Sequence, residues 1–251
     1  MEKVTSQDGT TIAFERFGDG VPVILVGGAL SDSRSGAAGV ELAGLLSGCS
    51  AYVYDRRGRG DSGDTQPYAK EREFEDLQAV ISAAGGTAAV YGHSSGAILA
   101  LEAAEAGLPI TRLALYEPPY AVPGGRTPLP DYVALLKAAI AEGRRADALH
   151  LFMVDTVGMP AEMFDGMRGM PMWPALEAVA HTLVYDGMFS EPGTPPMTTP
   201  VPTLVLSGAD SPEFLRVAAR AVPGTHRILE GQTHDVSPSA LAPILADFFT
   251  A

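Results

Sequence analysis

Short, uninterrupted apolar runs alternate along this chain with longer stretches whose apolar residues recur every three or four positions, and that alternation predicts an order of strands and helices. Thr10–Phe17 and Val21–Val26 read as strands, and Gly18-Asp19-Gly20 between them reads as a hairpin turn. The second run, VPVILV, has no polar interruption, as an interior strand of a mostly parallel sheet requires. Val40–Leu46 follows as a short helical stretch, Ser50–Tyr54 as a buried strand, and Glu71–Ala84 as an amphipathic helix stopped by Gly85-Gly86. Thr87–Tyr91 then reads as a strand running straight into the Ala- and Leu-rich helix Ala97–Glu105, and Arg112–Tyr116 as a strand closed by Glu117-Pro118-Pro119. Strand and helix in strict alternation predict an α/β fold, a parallel sheet with helices on both faces.

From Tyr120 to about Thr199 the alternation stops. Asp131–Glu142, Arg145–Val154, Pro160–Gly169 and Leu176–Tyr185 carry helical patterns, and Ser190–Pro202 is a proline-rich return. The alternation resumes with strand Val201–Ser207, helix Pro212–Ala221, strand His226–Leu229 and closing helix Pro238–Phe249. The expected organisation is a core made of residues 1–119 and 200–251, with 120–199 inserted as a small helical cap. That insertion holds Met153, Met159, Met163, Met167, Met170, Met172, Met188 and Met197 and the only tryptophan, Trp173. Methionines adapt to varied apolar shapes, which suits a lid over an apolar ligand, and Trp173 is expected to contact that ligand. For any single methionine, packing of lid helices against the sheet is the better explanation.

Bulk composition narrows the function classes. The chain has 251 residues, 46% hydrophobic and 19% charged, an ordinary globular balance. Thirty acids against 17 bases leave a net charge of −13, which repels phosphate backbones and anionic lipid and argues against nucleic-acid and membrane partners. The single cysteine, Cys49, permits no internal disulfide. The first residues lack an apolar signal core, and no run of about eighteen apolar residues occurs, so a cytoplasmic protein acting on a small molecule is expected.

Candidate chemistry concentrates at Gly92-His93-Ser94-Ser95-Gly96, between the predicted strand and helix. G-x-S-x-G at a sharp strand-to-helix turn holds the serine in strained geometry, and Ser94 is therefore the expected nucleophile. Gly27-Gly28-Ala29 ends an interior strand, where ligands bind in open α/β sheets, and Gly28 lets the backbone pass close to substrate. Asp55, Arg56 and Arg57 are expected to tie together a tight turn, since Gly58, Gly60 and Gly63 precede no apolar helix and make a poor dinucleotide motif. A serine hydroxyl needs a base, and His234 in the loop Glu230–Asp235 reaches the same sheet edge; His93, beside Ser94, is expected to point elsewhere. The reading requires no cofactor and no metal.

The motifs VGGA, YDRRGRGDSG, GHSSG, VPTLVLSGADSP and the GQTH loop, in that order, resemble the α/β-hydrolase superfamily over essentially the whole chain. The resemblance implies an eight-stranded, mostly parallel sheet, a cap inserted after the sixth strand, and the order nucleophile, acid, histidine. It implies Ala29 and Ser95 as donors of the oxyanion hole. The chain departs from the family at the acid: the usual site after the seventh strand holds Ser211, with Asp210 one residue early. Some members place the acid after the sixth strand, where this chain has Glu117, so Glu117 and Asp210 both stand as candidates. A serine hydrolase acting on an ester, lactone or thioester is expected. Carbon–carbon bond hydrolysis, perhydrolysis and a non-hydrolytic cyclase or binding role use the same scaffold.

Overall fold

The computed structural model describes residues 1–125, 129–190 and 195–251. The chain begins with β1 (Glu2–Thr5), β2 (Thr11–Phe17), β3 (Val21–Val26), α1 (Val40–Leu45), β4 (Cys49–Tyr54) and α2 (Lys70–Ala83). Next come β5 (Ala88–His93), α3 (Ser95–Glu105) and β6 (Ile110–Tyr116). Helices α4 (Tyr132–Ala141), α5 (Arg145–His150), α6 (Ala161–Met167), α7 (Trp173–Val179) and α8 (Leu183–Ser190) follow, and β7 (Thr203–Gly208), α9 (Glu213–Ala221), β8 (Thr225–Leu229) and α10 (Pro238–Thr250) complete the chain. The eight strands form one sheet in the order β1-β2-β4-β3-β5-β6-β7-β8. The β1–β2 and β2–β4 pairings are antiparallel and every pairing from β4 to β8 is parallel, so the expected α/β architecture is present.

The hairpin expected at Gly18-Asp19-Gly20 is not formed, because β4 lies between β2 and β3. The glycines serve a close approach instead: a Cβ on Gly20 would stand 2.0 Å from the Gly48 carbonyl oxygen and one on Gly18 2.7 Å from that of Cys49. The turn passes directly over the entrance to β4, which fills the position beside β2. β1 carries no apolar run and is mostly exposed, so it left no periodic signal. The single helix expected over Arg145–Val154 is α5 followed by a π-helical turn, Leu151–Thr156, and the one expected over Leu176–Tyr185 runs from α7 through a 3₁₀ turn, Ala180–Thr182, into α8. The proline-rich return Ser190–Pro202 includes residues 191–194, which lie outside the described residues.

Apolar strands need cover on both faces. Leu77 and Val80 of α2 and Ile98 and Leu101 of α3 pack on one side, and Leu42 of α1 with Leu241 and Leu245 of α10 pack on the other. Helices α4 to α8 gather a third cluster, with Phe164, Trp173 and Leu183 among its buried members. From β3 the chain goes to β4 on one side and then crosses back to β5 on the other. At such a reversal the loops leaving the two strands diverge and open a crevice at their carboxyl ends. Gly27 and Ser94 leave from those two ends.

Charges are also buried just past the end of β4. Arg57, with no exposed surface, donates through Nε and Nη2 to the two oxygens of buried Asp76 at 2.7 Å each, and through Nη1 to Asp8 at 2.9 Å. A bidentate pair out of water gains little over an apolar pair, but losing one member strands the other. Arg57→Ala is expected to lower unfolding free energy by about 3–5 kcal/mol in a urea titration; a loss below about 1 kcal/mol would mean the pair is effectively solvated.

Candidate active site

β5 turns into α3 within one residue, and the turn is possible only because glycines flank it. A Cβ on Gly92 would lie 2.5 Å from Gly96 O, and one on Gly96 would lie 2.5 Å from both Val26 O and Gly27 O. Ser94, between them, takes φ 56° and ψ −124°, a conformation costing of order 1–3 kcal/mol for a residue with a side chain. It is held there by its N–H donating to Tyr116 O at 2.9 Å and by α3, whose Ile98, Leu99 and Leu101 are wholly buried. Each such side chain contributes about 1.5–3 kcal/mol, so the helix behind the turn outweighs the strain in it. A Cβ on Gly28 would sit 3.0 Å from Ser94 Cβ, so the exit of β3 passes tightly alongside the serine.

Of the two candidate acids, the structure brings Glu117 to the histidine. Glu117, fully buried and at φ 46°, accepts from the Gly208 N–H through Oε1 at 2.8 Å and from His234 Nδ1 through Oε2 at 2.7 Å. An ionised carboxylate only accepts, so the proton of neutral His234 is assigned to Nδ1 and Nε2 keeps its lone pair. Asp210 is exposed, and what it gives the site is its backbone N–H, which donates to Gln232 O at 3.0 Å. Its placement one residue early therefore directs its carboxylate away and leaves its amide as a strut for the histidine loop.

His93 does not point elsewhere. Its Nε2 donates to the His234 carbonyl at 2.9 Å, its ring centroid is 4.7 Å from that of His234, and Tyr116 donates to Thr233 O at 2.6 Å. Desolvation, reinforced by neighbouring His234, lowers the His93 pKa well below the ordinary histidine value, so it stays neutral as a donor. The signal was adjacency to Ser94, which by itself does not say where a side chain reaches.

Gly28, Ala29, Ser94, Ser95 and His234 line a cavity of about 330 Å³. Its outer wall is apolar: Phe152, Met153, Val157 and Met159 come from the π-helical turn and the residues just after it, and Phe214 and Leu215 come from α9. A π turn shifts the side chains of one helical turn relative to the next, which is one way a helix feeds consecutive residues into a site. Trp173, expected at the ligand, lies outside this wall; it meets Phe164 edge-on at 5.4 Å, with Arg168 over its ring, inside the cluster of α4 to α8. Bulk sent it to a core, as bulk does for most aromatics.

The cavity also exposes part of a buried ion network that the expected turn of Asp55, Arg56 and Arg57 only hinted at. Arg56 grips Glu73 with both fork nitrogens, at 2.6 and 2.7 Å, and reaches Asp186 on α8 at 2.8 Å. Arg59 joins Asp186 at 2.6 Å and Gly28 O at 2.6 Å, and Ser95 Oγ donates to Asp186 at 2.8 Å. Burial alone would raise the Asp186 pKa, but Arg59 and Arg56 bring it below the ordinary carboxylate value, so it is ionised. Among the described residues no group of three or more His, Cys, Asp or Glu side chains is arranged to hold a metal, and no helix is long and apolar enough to cross a membrane.

A crystal structure of an alpha/beta hydrolase from Sphaerobacter thermophilus matches this fold with a TM-score of 0.89 and 52% sequence identity, over 99% of this chain and 100% of that one. A thermophilic esterase from Thermogutta terrifontis, solved with malate bound, matches at a TM-score of 0.72 and 23% identity over 99% and 97% of the chains. A bottromycin epimerase in complex with bottromycin A2 matches at 0.65 and 22% over 99% and 98%. At these lower identities the last two speak for the fold alone. Among curated proteins no significant match is found. The sequence model of the alpha/beta hydrolase family matches residues 23–243, from the core of β3 into α10, and the chain belongs to that family.

Proposed function

We propose that the protein is a serine hydrolase that cleaves an ester, lactone or thioester of an apolar small molecule through an acyl-enzyme. The observation that carries this reading is the buried Glu117 carboxylate 2.7 Å from Nδ1 of His234, which lines the same cavity as Ser94 on its strained turn. Residues 120–199 are read as a cap over a core of residues 1–119 and 200–251, and the substrate as a small molecule met in the cytoplasm. The apolar wall of the cavity supports an apolar acyl or alcohol part, and a volume of about 330 Å³ suits a small one.

In this mechanism Ser94 Oγ attacks the substrate carbonyl while His234 Nε2 takes its proton, and Glu117 stabilises the imidazolium that results. The oxygen that gains charge accepts from the backbone N–H groups of Ala29 and Ser95. Ser95 opens α3, where the first amides have no partner within the helix and the helix dipole favours negative charge. His234 then protonates the departing alcohol or thiol, and a water activated by the same nitrogen releases the acid from Ser94. The neutral His93 and the Tyr116 hydroxyl hold the histidine loop by its carbonyls and add no competing charge. The position of Glu117 supports hydrolysis over a non-hydrolytic role, since the displaced Asp210 was the feature that suggested an incomplete constellation.

Ser94→Ala is expected to lower kcat for p-nitrophenyl butyrate by about 10⁴-fold or more; an unchanged rate would remove Ser94 from the mechanism. Glu117→Gln should reduce kcat by about 10³–10⁴-fold, while Asp210→Asn, changing an exposed side chain, should stay within about twofold. The opposite ranking would make Asp210 the acid.

A further inference from the structure

Buried ion networks are poor sources of stability, because desolvation cancels most of the attraction. One placed against a reaction site calls for another reason. Arg56 and Arg59 carry two positive charges and Glu73 and Asp186 two negative ones, so this set is balanced and supplies no net charge to a transition state. What it does touch is the backbone. Arg59 Nη1 donates to Gly28 O at 2.6 Å, and Ser31 Oγ donates to the same oxygen at 2.8 Å. Gly28 C=O and Ala29 N–H belong to one planar peptide unit, so gripping the oxygen fixes the direction of the N–H at its other end. Two donors on that carbonyl, one of them charged, also polarise the amide and strengthen its N–H as a donor. Arg56 reaches Gly27 O, one residue earlier, at a longer 3.3 Å. The other oxyanion donor is tied to the same network: Ser95 Oγ donates to Asp186 Oδ1 at 2.8 Å, on the residue whose N–H faces the developing charge.

We propose that Arg59 and Asp186 are positioning residues for the oxyanion hole, with Arg59 aiming the Ala29 amide through the Gly28 carbonyl and Asp186 locking both Arg59 and Ser95 in place. Asp186 is on α8, whereas the other members of the network and both oxyanion amides belong to the core. The hole is therefore complete only while α8 is docked, and the cap takes part in catalysis without touching the reacting atoms. This rests on the hydrolytic reading above.

The test compares Arg59→Lys, Asp186→Asn and Ser95→Ala, using p-nitrophenyl butyrate as substrate and a butyl trifluoromethyl ketone as inhibitor. The ketone adds Ser94 Oγ to its carbonyl carbon, places the negative charge on the former carbonyl oxygen and passes the serine proton to His234, so its Ki reports the strength of the hole. Arg59→Lys and Asp186→Asn are each expected to lower kcat and raise Ki by a matching factor of about 10–100, with KM within about twofold, because a misdirected donor loses part of the 10²–10³ a whole one supplies. A purely structural role would not move Ki in step with kcat, and Arg57→Lys, whose partners Asp8 and Asp76 do not line the cavity, serves as the control that lowers Tm and leaves Ki unchanged. Unchanged kcat and Ki in folded Arg59→Lys or Asp186→Asn overturn the proposal. Should those two fail to fold, Ser95→Ala decides: it uncovers no charge, a parallel change of about threefold or more in kcat and Ki supports the relay, and none overturns it. Wild-type protein left unlabelled by a fluorophosphonate would overturn the hydrolytic reading itself, whereas labelled wild type with unmoved variants overturns the positioning role alone.

Discussion

The site depends on one close approach. Gly96, in the first turn of α3, lies so near the exit of β3 that a single added carbon would stand 2.5 Å from two successive carbonyl oxygens, Val26 O and Gly27 O. Two glycines bracketing Ser94 let a helix start at once beside a parallel neighbour strand, and that contact leaves the serine no backbone freedom. The strand exit that crowds the helix is also the one that carries Gly28 and Ala29 past Ser94. Ser94 and the backbone at Gly28 and Ala29 are thus set by the same steric event, and they share one rigid frame.

Around that frame the electrostatics follow a division. Glu117 is wholly buried with both oxygens occupied, one by the Gly208 amide and one by His234, so its orientation is fixed from two sides. The imidazole it holds is part-exposed and lines the cavity. His93, alongside, is held neutral. Arg56, Arg57 and Arg59 are buried against carboxylates, Arg56 and Arg59 with Glu73 and Asp186, and Arg57 with Asp8 and Asp76.

How much of this was legible from residue order depends on how local each feature is. Gly92 to Gly96 are consecutive, and their steric logic is contained in five residues, so the turn at Ser94 was readable directly. Glu117 was readable as a candidate because two prolines follow it, but choosing it over Asp210 needed the Gly208 amide and His234, 91 and 117 positions away. Asp186 gave no sign: its partners Arg59 and Arg56 precede it by 127 and 130 positions, and a lone acid in a helix reads as surface. The misplaced hairpin has the same origin, since Gly18-Asp19-Gly20 satisfies local turn chemistry while the neighbour of β2 is decided by where β4 inserts. Trp173 shows the limit of residue type, because the bulk that suits a ligand wall suits a helix cluster equally.

The π-helical turn Leu151–Thr156 changes how this cavity can diverge among relatives. Such a turn holds one residue more than an α-helical turn does. Deleting a single residue there closes the wide turn to an α-helical one and keeps α5 and the residues after the turn in register. What changes is the cavity wall, because the turn that loses a side chain is the one that carries Phe152 and Met153. One codon lost at this point re-facets the pocket in a single step, and Ser94, Glu117 and His234 lie on other parts of the chain.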